Sequence, residues 1–128
     1  MLRLKTPEHL RIVQADGFEA SYGGAESNVA VSLATLGDDA AFLTKLPKNP
    51  VGDAAFNELR RYGVDTSRIL RGGARLGIYF FEKGSDIRPT SVLYDRAGSA
   101  LAEADADEFN WEALLSGIDI FFFSGVTP

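Results

Sequence analysis

Cysteine is absent from the 128 residues. That excludes a disulfide framework, a thiolate metal site and a cysteine nucleophile, and it fits a reducing compartment. Histidine is nearly absent. The single ring, His9, lies among Pro7, Glu8 and Arg11 and reads as a solvated surface group, because a catalytic imidazole needs a partner that positions it. Long apolar runs are missing too. The densest, Ile118 to Val126, is interrupted by Asp119 and is far short of the roughly 20 residues that a membrane span requires. The first residues lack the long apolar core of a signal peptide. Positive charge is in deficit, with a net charge of −5, which argues against a nucleic-acid or anionic-membrane surface. An acidic surface is also an ordinary solvated state, so it names no partner. There is no internal repeat and no low-complexity tract. What remains is one domain's length of chain with an ordinary apolar share, and the expected location is cytoplasmic.

The apolar periodicity divides the chain. Met1 to Leu4 reads as a strand end and Thr6 to His9 as a turn. Ile12 to Gln14 and Phe18 to Tyr22 read as short strands joined by Asp16-Gly17 as a hairpin turn. From Ser27 to Leu36 the spacing becomes helical, with Val29, Leu33 and Leu36 on one stripe and Gly37 as the stop. Ala41 to Leu46 is a predicted strand. Asp53 to Tyr62 is a predicted helix with Phe56, Leu59 and Tyr62 inward. Arg68 to Leu70, Leu76 to Glu82 and Ser91 to Tyr94 are further strands. Asn110 caps a short helix through Leu115. The apolar run Ile118 to Phe123 reads as a strand buried on both faces. Ala41–Leu46 and Ile118–Phe123 are flanked by helices and suit a parallel α/β sheet. Ile12–Tyr22 and Leu76–Tyr94 suit a small antiparallel sheet apart from it. The simplest assembly is a Rossmann-like core with a β lid.

The most telling stretch is Tyr22-Gly23-Gly24-Ala25-Glu26-Ser27-Asn28. A strand, two glycines, a polar turn and a helix start make a small-ligand pocket, because glycine lets backbone approach closely and a helix start offers unpaired N–H donors. The loop has neither the GxxxxGK[ST] nor the GxGxxG pattern of phosphate cradles. Asn28 supplies both a donor and an acceptor, as a sugar hydroxyl requires. In Tyr94-Asp95-Arg96, alternation puts Tyr94 and Arg96 on one strand face. An arginine fork matches a carboxylate bidentately, so the pair suits an acidic sugar. A tight turn without a ligand and an ordinary exposed lid pair are the competing structural explanations.

GGAESNVAVSLATLG resembles the N-terminal sugar-binding motif of the ribokinase-like (PfkB) carbohydrate kinases. TKLPKNPVGDAAFNELRRYGVDTSRILRGG, RLGIYFFEKG and RPTSVLYDRAGSAL continue the likeness in register through strand, helix and lid. The GGAExN form is similar to the 2-keto-3-deoxygluconate kinase (2-dehydro-3-deoxygluconokinase) subgroup. The resemblance implies part of a three-layer α/β/α Rossmann-type core with a small antiparallel β lid. Lid segments fall at about 11–22 and 68–96, and core segments at about 1–5, 27–64 and 108–128. It implies that Gly24 and Asn28 contact the sugar and that Tyr79 lies over it. Gly23, Ala25, Glu26, Tyr94 and Arg96 complete the candidate site. Ser124 and Gly125, at the carboxyl end of a presumed strand, are second-rank candidates.

By the same resemblance the full kinase transfers the γ-phosphoryl of ATP to a sugar hydroxyl. Mg²⁺ neutralises phosphate charge and an aspartate deprotonates the hydroxyl. That aspartate belongs to a Gly-Ala-Gly-Asp motif in the C-terminal half, which this chain does not contain. Gly52-Asp53 is not its equivalent, since Asp53 opens a helix and answers its dipole. Lys45, Lys48, Arg60 and Arg61 read as solvated. The chain therefore reads as an N-terminal piece that holds sugar-recognition residues, with no catalytic residue, no metal ligand and no strong nucleotide site, and as inactive alone. Lids in this family pair between subunits. The apolar lid residues Ile12, Val13, Phe18, Tyr79, Phe81, Val92 and Tyr94 accordingly imply a homo-oligomer, a dimer through the lid. The alternatives are a fructokinase or another ribokinase-like kinase, for which Arg96 would be superfluous, and a non-catalytic sugar-binding or assembly module.

Overall fold

In a computed structural model, residues 1–125 are described. The core segment assigned to 108–128 runs past them, and residues 126–128 lie outside the described residues. Strand β1 (Leu2–Lys5) has both edges occupied. It pairs antiparallel with β2 (Glu19–Tyr22) and parallel with β5 (Ile78–Glu82), and β5 pairs antiparallel with β6 (Ser91–Asp95). The sheet order is β2-β1-β5-β6. A second, two-stranded parallel sheet joins β3 (Thr44–Leu46) to β4 (Ile69–Arg71). Helices α1 (Ala25–Leu36) and α2 (Pro50–Arg61) pack on these strands, and α3 (Trp111–Leu115) follows a 3₁₀ turn at Ala106–Glu108. The architecture is α/β, as the periodicity predicts.

The expected segmentation changes at three strands. β1 joins the larger sheet and does not lie with the segments assigned to the core, so that sheet is mixed and not purely antiparallel. β4, at the start of the segment assigned to the lid, pairs with β3. Ile12–Gln14 is a 3₁₀ turn and not a strand. Its β-branched residues have strand propensity, but the Ala15 amide closes onto the Ile12 carbonyl at 3.3 Å. The Ile12 amide is held by the Glu82 carboxylate at 3.0 Å. Asp16-Gly17 therefore joins a turn to a strand and makes no hairpin.

Ile118–Phe123 departs most from expectation. It forms no strand, and Ile120 and Phe123 are 83% and 67% exposed. An apolar run becomes a buried strand only when a neighbour pairs with its backbone. Among the described residues β3 and β4 pair with each other and no strand lies against this segment. Among the described residues no helix is long and apolar enough to cross a membrane.

The core comprises Ala30, Leu46, Ala55, Leu59, Val64, Ile69 and Leu76. Full burial of one such leucine or isoleucine is worth about 1.5–3 kcal/mol. α1 contributes its small-residue face through Ala30, with Val31 and Ala34 packed alongside. The expected stripe is wrong in phase, because Leu33 and Leu36 are exposed. AVSLATL is apolar around most of the helix, so spacing alone does not choose the face. On α2, Leu59 is buried and Phe56 half-buried, while Tyr62, expected inward, is exposed.

α2 starts by close contact. Asn49 Oδ1 accepts from the Gly52 amide at 2.9 Å, with Pro50 in the first turn. A Cβ on Gly52 would stand 2.1 Å from the Pro47 carbonyl oxygen, a backbone neighbour that cannot swing aside. Gly52→Ala is expected to destabilise the chain by about 1–3 kcal/mol, the usual cost of overpacking. Urea unfolding measures it, and a variant equal to wild type would show that the helix start shifts freely.

Candidate substrate-binding site

Strand register assembles the site. Arg3 on β1 stands opposite Ser21 on β2 and Tyr79 on β5, and Tyr79 stands opposite Tyr94 on β6. Directly opposed residues share a sheet face, so the four side chains form one row across four strands. The next row on that face includes Phe81 and Val92. The Tyr79 and Tyr94 rings are 5.9 Å apart between centroids. Arg3 Nε donates to Ser21 Oγ at 2.8 Å, and its guanidinium lies 6.0 Å from the Phe81 ring centroid.

The start of α1 faces this row. A Cβ on Gly23 would lie 2.9 Å from the Tyr79 hydroxyl oxygen, so a bare α-carbon is what lets the tyrosine close over the loop. The helix begins at Ala25, two residues before the predicted start. The Asn28 amide donates to the Gly24 carbonyl at 2.9 Å, which places Asn28 one turn inside the helix and makes its side chain, not its amide, the group free to meet a ligand. The amides of Ala25 to Ser27 have no intrahelical acceptor.

A cleft of about 270 Å³ opens between loop and sheet, lined by Arg3, Gly24, Ala25, Asn28, Tyr79 and Tyr94 among others. A larger hollow of about 860 Å³ adjoins it, shares Arg3, Gly24, Ala25 and Asn28, and adds Gly23, Glu26 and Arg96. The structure thus brings eight of the ten candidate residues to two connected hollows. Arg96 lies 5.3 Å from the Tyr94 ring centroid, a stacking contact with the ring's negative face.

The remaining two candidates differ. Ser124 lines neither hollow and bonds to Glu26, whose Oε1 accepts from the Ser124 amide at 3.1 Å and also from the Ser124 hydroxyl. Gly125 is exposed and lines neither hollow. Glu26 therefore ties α1 to the segment after Phe123. The Ser124 hydroxyl holds its carboxyl below the usual carboxylate range, against a smaller opposing effect of burial.

Two arginines escaped the sequence reading. Arg3 looks like a polar residue between Leu2 and Leu4, and only strand register reveals its neighbours. Arg75 precedes β5 and pairs bidentately with Asp95, at 2.9 and 2.7 Å. That bonding holds the Asp95 carboxyl low and raises Arg75 above its ordinary value. Lys45, expected to be solvated, is largely covered and bonds to the Glu108 carboxylate at 2.5 and 2.6 Å. Asp53 lies in the first turn of α2, as expected, and pairs with Arg71. Among the described residues no group of three or more His, Cys, Asp or Glu is placed to hold a metal ion.

Because the folded Glu26 carboxyl titrates low, its tie is fully present above the ordinary carboxylate value and is lost as pH falls through the lowered one. The stability difference between wild type and Glu26→Gln should accordingly be largest at neutral pH and vanish in acid. Unfolding midpoints from pH 7 to about pH 3 read it, and a difference independent of pH would remove Glu26 from the tie.

Residues 2–128 match the profile described as pfkB family carbohydrate kinase. The chain is 43% identical over its whole length to the 2-dehydro-3-deoxygalactonokinase of Haloferax volcanii and covers 40% of that protein. It is similar in structure to the 2-dehydro-3-deoxygluconokinase of Thermotoga maritima, with a TM-score of 0.88 and 57% identity over 91% of this chain and 36% of that one. A sugar kinase of Pyrococcus horikoshii in complex with ATP superposes with a TM-score of 0.79 at 27% identity, over 91% of this chain and 38% of that one. The chain thus spans 36–40% of the length of these relatives.

Proposed function

Since the chain belongs to the pfkB family of carbohydrate kinases, we propose that it forms the sugar-recognition part of an ATP-dependent kinase acting on 2-keto-3-deoxygluconate. The observation that carries the acidic substrate is Arg96. Its guanidinium makes no hydrogen bond or ion pair among the described residues and rests on Tyr94 beside the hollow. A planar fork with open donors matches a carboxylate, and a neutral sugar would leave it unused. Tyr79 and Tyr94 offer apolar faces to a sugar ring and hydroxyls at its rim. Asn28 and the amides at the start of α1 answer sugar hydroxyls. The names of the Haloferax and Thermotoga relatives, both keto-deoxy sugar acid kinases, support the same class.

The reading assigns recognition to these residues and phosphoryl transfer to others. The loop at Gly23–Asn28 has no lysine for phosphates, and the two acidic residues that line the larger hollow are engaged, Glu26 by Ser124 and Glu58 by Arg61 at 3.7 Å. ATP and Mg²⁺ belong, on this reading, to the full-length kinase that carries this segment. The 128-residue chain, mixed with ATP, Mg²⁺ and 2-keto-3-deoxygluconate, should release no ADP. Turnover at about 1–100 per second, ordinary for kinases, would overturn that assignment.

Substrate charge is tested in the full-length kinase. Loss of a charge-assisted hydrogen bond costs about 1.5–3 kcal/mol, or roughly one to two decades of affinity. Arg96→Ala should weaken 2-keto-3-deoxygluconate by that much and leave fructose, a neutral sugar, nearly unchanged. Equal losses on both would make Arg96 a structural residue and favour the fructokinase reading.

A further inference from the structure

Among the described residues every side-chain hydrogen bond of Arg75 goes to Asp95 or Ala97, the two residues that flank Arg96. Nη1 donates to Asp95 Oδ1 at 2.9 Å and to the Ala97 carbonyl at 3.2 Å. Nη2 donates to Asp95 Oδ2 at 2.7 Å and to the Asp95 carbonyl at 3.0 Å. The fork therefore holds the backbone on both sides of Arg96. The backbone of Arg75 grips the same turn, since its carbonyl accepts from the Ala100 amide at 2.8 Å. Within the turn the Arg96 carbonyl accepts from the Ser99 amide at 3.2 Å. Arg96 is thus a side chain with open donors on a backbone that another arginine restrains at three points, the Asp95 and Ala97 carbonyls and the Ala100 amide.

We infer that Arg75 is a positioning residue, which through Asp95 and the two flanking carbonyls sets the Arg96 fork at the mouth of the hollow before an acidic substrate arrives. The inference rests on the reading that Arg96 meets a substrate carboxylate. Its physical basis is preorganisation. β6 is an edge strand with exposed residues throughout, and the turn after it would otherwise sample many conformations. Ordering it on binding would subtract from affinity, and restraining it beforehand removes that cost. Only a planar guanidinium reaches a carboxylate and two carbonyls together. A lysine at position 75 keeps the charge and loses the geometry.

The test uses the full-length kinase that carries these residues, with 2-keto-3-deoxygluconate and fructose as probes. Arg75→Ala should raise KM for the acidic sugar about tenfold, within the range of coupled neighbours. The KM for fructose should stay put, and kcat should fall by less than KM rises, as for a lost binding interaction. Arg75→Lys should recover part of the loss. In an Arg96→Ala background, Arg75→Ala should add nothing, because it acts through the residue already removed. Full additivity there, or equal losses on both sugars, would overturn the inference. Should Arg75→Ala fail to fold, Asp95→Asn keeps the size of the partner and reads the same cycle. A second readout needs no substrate: the heteronuclear NOE of the Arg96 Nε–Hε group should fall in Asp95→Asn. An unchanged NOE refutes the clamp whatever the substrate. If Arg96→Ala shows no acid selectivity while the NOE still falls, the substrate reading fails and the restraint on the turn stands alone.

Discussion

β1 is four residues long, and both of its edges are taken by strands of opposite sense. That double pairing is the constraint from which the site follows. The antiparallel partner, β2, leads directly into the glycine pair and α1. The parallel partner, β5, carries Tyr79 and is joined to β6 and its arginine turn. A one-residue slip on either side of β1 would turn Tyr79 or Ser21 to the opposite face and dissolve the row that begins at Arg3. The bare α-carbon of Gly23 then settles the distance between row and loop, since a side chain there would meet the Tyr79 hydroxyl. Register and one absent methyl group together place an aromatic wall over a helix start.

The smaller sheet has a different basis. β3 and β4 have three residues each, too few for an independent ladder. Their stability comes from what packs on them: Leu46 and Ile69 contribute to the same core as Ala55 and Leu59 of α2. Pro47 immediately follows β3 and touches Gly52 at the start of α2. Asp53 in the same first turn reaches Arg71 at the end of β4, and Arg71 also donates to the Pro47 carbonyl at 2.9 Å. One short loop is therefore held from three elements at once, which is why a pair of three-residue strands persists.

The sequence revealed the elements more readily than their partners. β2, α1, α2, β5 and β6 carry local signals: alternation, an asparagine cap, a glycine stop with φ of 98° at Gly37. The Gly23–Asn28 loop and the Tyr94–Arg96 pair were legible because their residue types constrain chemistry within a few positions. What escaped was set by long-range pairing. Ile12–Gln14 and Ile118–Phe123 have strand composition, and composition cannot say whether a backbone neighbour is present. The face of α1 stayed ambiguous because small and large apolar residues surround it. Glu26 is a candidate from its place in the glycine loop, but its bond to Ser124 across almost the whole chain has no local signature. Arg75 and Asp95 are twenty residues apart, and nothing in either neighbourhood announces the other.

The charge of the site runs against that of the chain. The sequence is acidic, with a net charge of −5, yet Arg3, Arg75 and Arg96 all line the larger hollow. Their states differ. Arg75 is neutralised by Asp95 at bidentate distance. Arg3 bonds to a neutral hydroxyl, and Arg96 to no charged group among the described residues. The carboxylate of Glu26, on the same hollow, is held by Ser124, and Lys45 is answered by Glu108. Among the described residues Arg3 and Arg96 therefore face the cavity without an acidic partner, Arg75 and Lys45 are each paired, and the carboxylates on the same hollow are Glu26, held by a neutral hydroxyl, and Glu58, 3.7 Å from Arg61. An unpaired guanidinium attracts an anion at its own place, most strongly where water is excluded. The exposed acidic groups elsewhere keep the protein from presenting the same attraction over its whole surface. An overall charge count says nothing of this, because specificity for an anion depends on which positive groups remain uncompensated at one place.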